Sequence, residues 1–289
     1  MKLRTAGAVL WMLRWDLLAV LVVAGIMMWL SDKVPYASVA QIVPLMGVVV
    51  SIFIGFRNSS AYNRWWEART LWGTMIGNSR SIANALVAVD NCTESMAEVI
   101  DRMRRRQVRY AWELAAELRG VPAGPGVAAL TPEDRADATS RELLTAQSVE
   151  IRDMANKDWI DRQGRTLLVN QMTAQSAAAG GLERIRNQPI PWPYAAFIRT
   201  VAWFFAIMVC TRLDVAGHDS GIGVLVSILV MAMFVVAERI GSFLEKPMTP
   251  GPFGLTMDRF CTVIQNELLG PPDKLPAGKA TSGALVQEK

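Results

Sequence analysis

The sequence contains few of the side chains that catalysis or metal binding requires. His218 is the only histidine, and Cys92, Cys210 and Cys261 lie far apart without a metal-binding spacing. A Ser-His-Asp triad and a His-rich metal site both need histidine, and His218 is expected in an external loop. Three dispersed cysteines do not make a disulfide framework, so we interpret them as ordinary buried thiols. We predict no catalytic residues, no metal site and no cofactor.

Two other patterns contain residue types that acid/base catalysis or phosphate binding could use, but their sequence context does not fit either function. Glu113 and Glu117 are spaced i,i+4 on one predicted helix, which is more typical of a solvated face than of an acid/base pair. Gly180 and Gly181 lack the preceding strand and following lysine of a phosphate-binding loop, so a helix hinge or close packing explains them better. We therefore predict that the protein is not an enzyme.

The informative spacing lies in an uncharged apolar stretch near the N-terminus. Small residues recur there every four positions, forming what we name the small row: Gly47, Ser51 and Gly55. Apolar residues recur with the same spacing on the adjoining strip, forming the apolar row: Val48, Ile52 and Phe56. Identical subunits packed on the small row would present the apolar row as stacked rings around a lumen, which can gate by dewetting. From the spacing alone, a lipid-facing or packing stripe is the stronger interpretation, because this is the usual role of an aliphatic stripe in a membrane helix.

These rows require a membrane-spanning helix, and the composition supports one. Hydrophobic residues make up 52% of the 289 residues and charged residues 19%, which is too apolar for a typical soluble domain. A spanning helix needs about 20 mostly apolar residues. Four stretches approach this length: about Ala8–Ser31, Val34–Phe56, Pro189–Thr211 and Ser220–Ala237. We predict an all-α integral membrane protein with about four transmembrane helices in the lipid bilayer.

Charged residues interrupt two of the predicted spans. Arg14 and Asp16 lie in the first and Arg199 lies in the third. A charge at membrane depth usually faces another charge, a wet cavity or a bundle interior. The open alternatives are an Asp16–Arg199 pair, an Arg14–Asp16 pair, and an Arg14 side chain extended to the interface. The first span also has a second interpretation as a cleaved signal peptide, although Arg14 and Asp16 interrupt its apolar run.

Basic residues predict the orientation and exclude one class of partner. One side of the membrane would hold most of the flanking charges: Lys2, Arg4, Arg57, Arg64 and Arg69. The short opposite loops contain little beyond Lys33 and Arg212, so the positive-inside rule predicts that both termini lie in the cytoplasm. The predicted location of the protein is the cell (inner) membrane. The net charge of +4 comes without RNA-binding motifs, and we predict no nucleic-acid partner.

The chain divides into five predicted regions. Residues 1–56 form the first two transmembrane helices with the pore neck, 57–188 a cytoplasmic helical domain, and 189–245 the third and fourth transmembrane helices. Residues 246–270 are a C-terminal segment packed on the cytoplasmic domain, and 271–289 a disordered tail.

Helix signals subdivide the cytoplasmic domain. Asn91 and Glu94 predict a capped helix that Gly120 ends, and Thr131–Asp134 predicts the start of another. The arginines of the first of these helices are interpreted as a solvated basic face: Arg102, Arg104, Arg105, Arg106 and Arg109.

One longer run identifies a family resemblance. Ser51–Gly73, SIFIGFRNSSAYNRWWEARTLWG, closely resembles the signature of the bestrophin family, in particular its bacterial members. PIPWPY at Pro189–Tyr194, the four-span layout and the Pro-rich stretch after the fourth span are also similar. The resemblance covers most of the chain and is weakest in the cytoplasmic domain. It implies a homopentamer with one axial pore, in which the second helix of each subunit lines a hydrophobic neck.

The resemblance assigns the neck to the apolar row, with the small row as the helix packing beside the pore. Residues below the neck are interpreted as scaffold: Arg57, Asn58, Arg64, Trp65, Trp66 and Glu67. Tryptophan belongs at the headgroup level, and arginine paired with glutamate ties helices together. We interpret Arg57 as an interfacial snorkelling residue, with a lumen-facing position as the alternative. Gln171–Gln175 is a candidate for a second constriction at the cytoplasmic exit.

The sequence departs from the animal bestrophins after the fourth span. Those proteins have a dense acidic cluster that binds calcium, whereas Asp258 is the only acid in PMTPGPFGLTMDRF here. Because Ca²⁺ takes about six or more oxygen ligands, we predict opening without calcium. The expected function is a passive pore for small monovalent ions, either chloride and other anions, as in animal relatives, or a cation such as sodium, as associated with bacterial ones. A membrane-anchored interaction protein and a secondary transporter are the alternatives.

Overall fold

The computed structural model describes residues 2–30, 42–215 and 221–270, and every regular element in these ranges is an α-helix. The helices are α1 Lys2–Leu30, α2 Val43–Ala88, α3 Glu94–Arg119, α4 Pro125–Ala128, α5 Ser140–Asn156, α6 Arg162–Asn187, α7 Trp192–Val215, α8 Gly221–Leu244 and α9 Met257–Leu269. The all-α prediction is thus confirmed. The predicted disordered tail, His218 and the first part of the second predicted span lie outside the described residues.

The chain forms two compact units. Of the described residues, the membrane unit comprises 2–30, 42–66, 189–215, 221–247 and Gly251–Gly254. The helical unit comprises Glu67–Gln188, Met248–Pro250 and 255–270. Four helices are long and apolar enough to cross a membrane, within Gly7–Met27, Val43–Ala88, Trp192–Val209 and Gly223–Leu244. The prediction of about four transmembrane helices is confirmed, although α8 continues seven residues beyond the predicted end at Ala237.

The core of the membrane unit lies between α2, α7 and α8. Its buried residues are Val43, Val50, Ile54, Ile198, Ala202, Phe205 and Val209. Phe205 of α7 meets Phe234 of α8 edge to face, with ring centroids 4.6 Å apart. Helix α1 joins through a second cluster, in which Val20 packs with Ala206, Met231 and Val235. One face of α2 is therefore buried by contacts within the chain.

Two of the three charges inside the predicted spans, Asp16 and Arg199, pair with residues of α8. Asp16 of α1 forms an ion pair with Arg239, at 2.8 Å between Oδ2 and Nε. Arg199 of α7 pairs with Glu238, at 3.3 Å between Nε and Oε1. Arg14 lies over the ring of Trp11, 4.2 Å from its centroid. Of the open alternatives, the Asp16–Arg199 pair is wrong, because each of these residues forms an ion pair with a residue of α8 instead.

The helical unit is built around α3. A cluster of buried aliphatic and methionine side chains joins the end of α2 to α3, α5 and α6: Ile82, Leu86, Met96, Ile100, Met103, Ile151, Met154, Leu168 and Met172. Helix α9 packs on α3, where Trp112 Nε1 donates a hydrogen bond to Gln265 Oε1 at 3.2 Å. Arg119 also binds both carboxylate oxygens of Asp258, at 2.5 and 2.7 Å.

Two predicted helix starts differ in the structure. Thr93, not Asn91, caps α3, since its side chain accepts a hydrogen bond from the Met96 amide. Thr131–Asp134 does not begin a helix; the next one begins at Ser140 behind a capping box formed by Thr139 and Glu142. Gly120 does end α3, with φ of 73°, in the left-handed region that glycine adopts at low cost.

Two arginines explain why the chain after Thr131 is not helical. Arg109 is buried and donates hydrogen bonds to the carbonyl oxygens of Thr131, Arg135 and Ala136, at 3.3, 2.6 and 3.0 Å. Arg106 is also buried and binds Asp134 at 2.7 and 2.8 Å. The predicted solvated face is wrong for these two residues. Tertiary hydrogen bonds to arginine replace the helical ones that the local sequence favours.

The two predicted surface acids also have partners. Glu117 accepts hydrogen bonds from the Ser140 amide and hydroxyl, at 2.7 and 2.6 Å. Glu113 lies 3.6 Å from Arg109, and burial raises its pKa against the opposing effect of that arginine. The prediction of a solvated acidic face is therefore wrong at Glu117, whose carboxylate anchors the start of α5.

Candidate ion-pore site

Helix α2 carries the predicted pore residues, and its packing determines which of them are free. Val50 and Ile54 are buried against α7 and α8, and Arg57 on the same face is 1% exposed. At about 100° per residue, this face points roughly opposite to the apolar row. Val48, Ile52 and Phe56 are 60%, 52% and 67% exposed in the single chain. The three side chains therefore form a continuous apolar stripe that the subunit itself does not cover.

The small row has two different environments. A Cβ at Gly47 would lie 3.0 Å from the ring of Phe205, so the close approach of α7 occupies this end of the row. The Ser51 hydroxyl donates to the Gly47 carbonyl at 2.7 Å, which satisfies it within the helix. A Cβ at Gly55 would meet nothing within 4 Å. The Gly55 end of the row, together with the exposed Ser51, therefore remains open to another helix.

Arg57 follows the apolar row directly and faces away from it. Its guanidinium forms an ion pair with Glu238 and a hydrogen bond of 2.7 Å from Nε to Oε1 of Glu245. Glu238 also binds Arg199, so one carboxylate links α2, α8 and α7. The snorkelling interpretation of Arg57 is wrong, because the guanidinium is 1% exposed and has two carboxylate partners, the buried Glu238 and the partly buried Glu245.

The next predicted scaffold residues contact α8 and the segment after it. Asn58 Nδ2 donates to the Ala237 carbonyl at 3.1 Å. Arg64 Nε donates to the Glu245 carbonyl at 3.0 Å, and Trp65 Nε1 donates to the Phe253 carbonyl at 2.8 Å. The Glu245 and Phe253 carbonyls lie beyond the end of α8 and have no partner in that helix, whereas the Ala237 carbonyl lies within it. These hydrogen bonds fix the rotation of α2 about its own axis.

Trp66 and Glu67 behave differently from that group. Trp66 is half exposed and stacks on Tyr62, with ring centroids 6.4 Å apart and planes 15° from parallel. Glu67, the first residue of the helical unit, forms an ion pair with Arg184 of α6 in the same unit. Glu67 therefore organises the helical unit and does not contribute to the α2–α8 contact.

Sequence reasoning missed the two acids that hold Arg57. Glu238 and Glu245 are seven residues apart at the end of α8, a spacing that places both on one helix face. An acid pair on one face of a span, together with arginines at similar depth in two other spans, was a signal that could have identified them. Gln175, in the proposed second constriction, is fully buried within the helical unit. A lumen-facing side chain would be exposed in the single chain, so Gln175 does not fit that role.

Metal ligands are not assembled near these residues. In the described part of the chain, no group of three or more His, Cys, Asp and Glu residues could hold a metal ion. Asp258, the one acid in the segment PMTPGPFGLTMDRF after α8, has both carboxylate oxygens bound to Arg119.

Comparison with known proteins identifies the family of this chain. Residues 1–270 match the family described as "Bacterial/Fungal Bestrophin protein". The chain belongs to the bacterial/fungal bestrophin family. The resemblance inferred from Ser51–Gly73 is thereby confirmed, and the match extends over the helical unit, where the sequence resemblance was weakest.

Relatives of this bestrophin-family chain have channel names. The Salmonella typhi protein named voltage-dependent anion channel-forming protein YneE is 28% identical over 240 residues, which covers 80% of this chain and 76% of the relative. A Mesorhizobium japonicum protein of the same description, mll4386, is 28% identical over 262 residues, covering 81% and 77%. The crystal structure of a bacterial bestrophin homolog from Klebsiella pneumoniae has a TM-score of 0.80 at 23% identity, covering 89% of this chain and 97% of that one. The bestrophin fold therefore extends over most of the chain.

Proposed function

We propose that this protein is an ion channel that passes small monovalent ions through a hydrophobic neck on the axis of a homopentamer. The observation that carries the proposal is the exposed stripe of the apolar row. It occupies the face of α2 opposite the buried Arg57, and α7 and α8 leave it uncovered. Five copies of this helix around an axis would cover the stripe and line a lumen with it.

The chemistry of the stripe supports a gate. Val48, Ile52 and Phe56 lie one helical turn apart, so each would form a ring of five apolar side chains about 6 Å from the next. Such rings contain no polar group that could replace the hydration shell of an ion, and a narrow apolar constriction excludes water. Ions pass when the rings widen enough to admit water. Conduction therefore depends on the diameter of the neck.

The open end of the small row supports the packing of neighbouring copies. Gly55 lies beside the apolar row on α2, and it has room for the backbone of another helix. Small residues allow helices in a membrane to approach closely and gain dispersion contacts. In the proposed pentamer, the adjacent subunit contacts α2 at Gly55, and this contact sets the spacing of the rings.

The neck itself does not discriminate between ions by charge. Arg57 is the nearest cation along α2, and Glu238 and Glu245 neutralise it on the face away from the stripe. The names of the bacterial relatives favour anions, and chloride is the leading candidate. A monovalent cation such as sodium is the second candidate. We place the protein in the inner membrane with both termini in the cytoplasm, following the positive-inside rule.

Reconstitution into liposomes tests this function. Purified protein in asymmetric potassium chloride should give a passive conductance, and its reversal potential should approach the chloride equilibrium potential. A reversal potential near the potassium value would make the pore cation-selective. Saturable uptake that requires a second solute would contradict a channel and indicate a transporter. No flux of any small ion from folded, correctly assembled protein would contradict the channel and favour an anchored interaction protein.

A further inference from the structure

A cavity of about 710 Å³ lies in the membrane unit, between the start of α7 and the end of α8. One wall is apolar and consists of Ile190, Pro191, Trp192, Ala195 and Ala196. The other wall carries the cationic side chains of Arg57, Arg199, Arg239 and Lys246, together with the carboxylate of Glu245. The cavity is thus amphipathic, with its charges on the α8 side.

The charges around this cavity do not balance. Three carboxylates pair with its arginines: Asp16 with Arg239, Glu245 with Arg57, and Glu238 with both Arg57 and Arg199. Lys246 is exposed and has no ion pair within the described residues. Four cations against three carboxylates leave one positive charge in excess, and it is located at Lys246.

Arg199 has hydrogen-bonding capacity left for a ligand. Its side chain is 43% exposed, and its two contacts in the chain are long, at 3.3 Å to Glu238 and 3.5 Å to Ser242. A guanidinium carries five N–H donors, so most of them remain available at the cavity. Arg199 and Lys246 together resemble the donors that proteins use for phosphate.

Aromatic residues place the cavity at the depth of the lipid headgroups. Arg239 in its wall pairs with Asp16, which follows Arg14 and Trp15 on α1. Trp11 and Trp15 are exposed, and Arg14 lies against both rings. Trp192 on the rim is 79% exposed. Exposed tryptophans with arginine are typical of the membrane–water interface.

We propose that this cavity binds the phosphodiester headgroup of an anionic phospholipid. Lys246 and Arg199 hold the phosphate, and the wall of Ile190, Trp192 and Ala195 contacts the glycerol and the first part of the acyl chains. A headgroup with one negative charge neutralises the excess positive charge of the site. Basic pockets between transmembrane helices on the cytoplasmic side bind anionic headgroups in this way.

Native mass spectrometry of the full-length protein in detergent tests the site. The probes are phosphatidylglycerol and phosphatidylcholine with identical acyl chains. The wild-type protein should retain phosphatidylglycerol, and Lys246→Gln should weaken this retention about tenfold, the size expected for one charged hydrogen bond. Lys246 is exposed and unpaired in the described residues, so this substitution leaves the fold intact. Arg165→Gln, an exposed cation on α6, is the matched control and should retain the lipid like the wild type.

Three results would overturn the proposal. Equal retention of phosphatidylglycerol by the wild type and Lys246→Gln excludes a role for this lysine. Equal retention of the two lipids excludes selection by charge. Displacement of phosphatidylglycerol by millimolar inorganic phosphate, with no preference for the lipid, would make the ligand a free anion. Because retention is measured without ion flux, its failure is distinguishable from a failure of the channel proposal.

Discussion

Arg57 of α2 and Glu238 of α8 form an ion pair in which both side chains are almost fully buried, one residue after the apolar row ends at Phe56. Each charge of a buried ion pair has lost its hydration free energy, and only close contact with the other charge compensates for that loss. The pair is therefore stable only in a narrow range of geometries. Rotating α2 about its axis would separate the two charges. The pair therefore determines which face of α2 a neighbouring subunit meets.

Removing the carboxylate should destabilise the membrane unit. Glu238→Gln leaves Arg57 with Glu245 alone and weakens Arg199, so we expect a loss of about 3 kcal/mol, as for other buried pairs that lose one partner. The measurement is the midpoint of thermal unfolding in detergent. Asp137→Asn, which breaks the exposed Arg135–Asp137 pair, is the control and should leave the midpoint unchanged. An unchanged midpoint for Glu238→Gln would show that the pair does not hold α2.

Shortening the middle ring of the apolar row should raise conductance. Ile52→Ala removes three carbon atoms from each subunit, widens the neck and makes it easier to wet. We expect chloride flux into proteoliposomes to increase several-fold. Ile26→Ala on α1 is the matched control, since Ile26 is similarly exposed but on another span. Equal flux in wild type and Ile52→Ala would remove Ile52 from the neck.

A large side chain at the open end of the small row should prevent assembly. Gly55→Leu places four carbon atoms where the single chain has empty space and where the neighbouring helix is proposed to pack. We expect the proposed pentamer of the wild type to be replaced by smaller species, as measured by size-exclusion chromatography with light scattering. Gly25→Leu on α1, which is equally open, should leave the pentamer intact. A stable pentamer of Gly55→Leu would contradict packing at this residue.

The helical unit should lose part of its stability in acid through Asp134. Burial raises the pKa of Asp134, but the hydrogen bonds and charge of Arg106 outweigh it, so the net pKa is lowered from its usual 3.8. A carboxyl group whose pKa is lower in the folded state stabilises above its unfolded pKa, and this contribution is lost as pH falls through the folded pKa. Asp134→Asn should therefore cost about 2 kcal/mol at pH 7 and progressively less below pH 3.8.

Thermal unfolding of wild type and Asp134→Asn at several pH values between 7 and 3 measures this difference. Glu98→Gln, an exposed residue on α3, is the control and should match the wild type throughout. A difference between wild type and Asp134→Asn that stayed constant down to pH 3 would mean that the lost interaction does not depend on ionisation of the carboxyl group.

Calcium should not be required for opening. Arg119 occupies both oxygens of Asp258, and the described residues provide no cluster of acids for a hard cation. Currents in planar bilayers should persist after addition of a chelator and should not rise on return of micromolar calcium. Currents that the chelator abolishes and calcium restores would refute this prediction. Magnesium added in place of calcium is the control for ionic strength.

Local sequence was enough to predict the parts of the fold that depend on amino-acid composition and on the periodicity of apolar residues. The spans could be predicted because a helix in lipid must be apolar over its length, and Gly120 could be placed because few other residues end a helix in that conformation. The structure of the segment after Thr131 could not be predicted locally, since its carbonyl oxygens accept hydrogen bonds from Arg109, more than twenty residues earlier. For the same reason Arg57 was misinterpreted: its partners are about 180 residues away.

Gly241 of α8 faces Asn58 of α2 so closely that a Cβ at 241 would overlap the asparagine amide oxygen. The Asn58 side chain fills the space between the two helices at this point, and its amide donates a hydrogen bond to the Ala237 carbonyl of α8. This contact and the Arg57–Glu238 ion pair couple α2 to α8 within one chain. In the proposed pentamer, we therefore expect the neck to open by a tilt or translation of α2 together with α8, against the contacts between protomers.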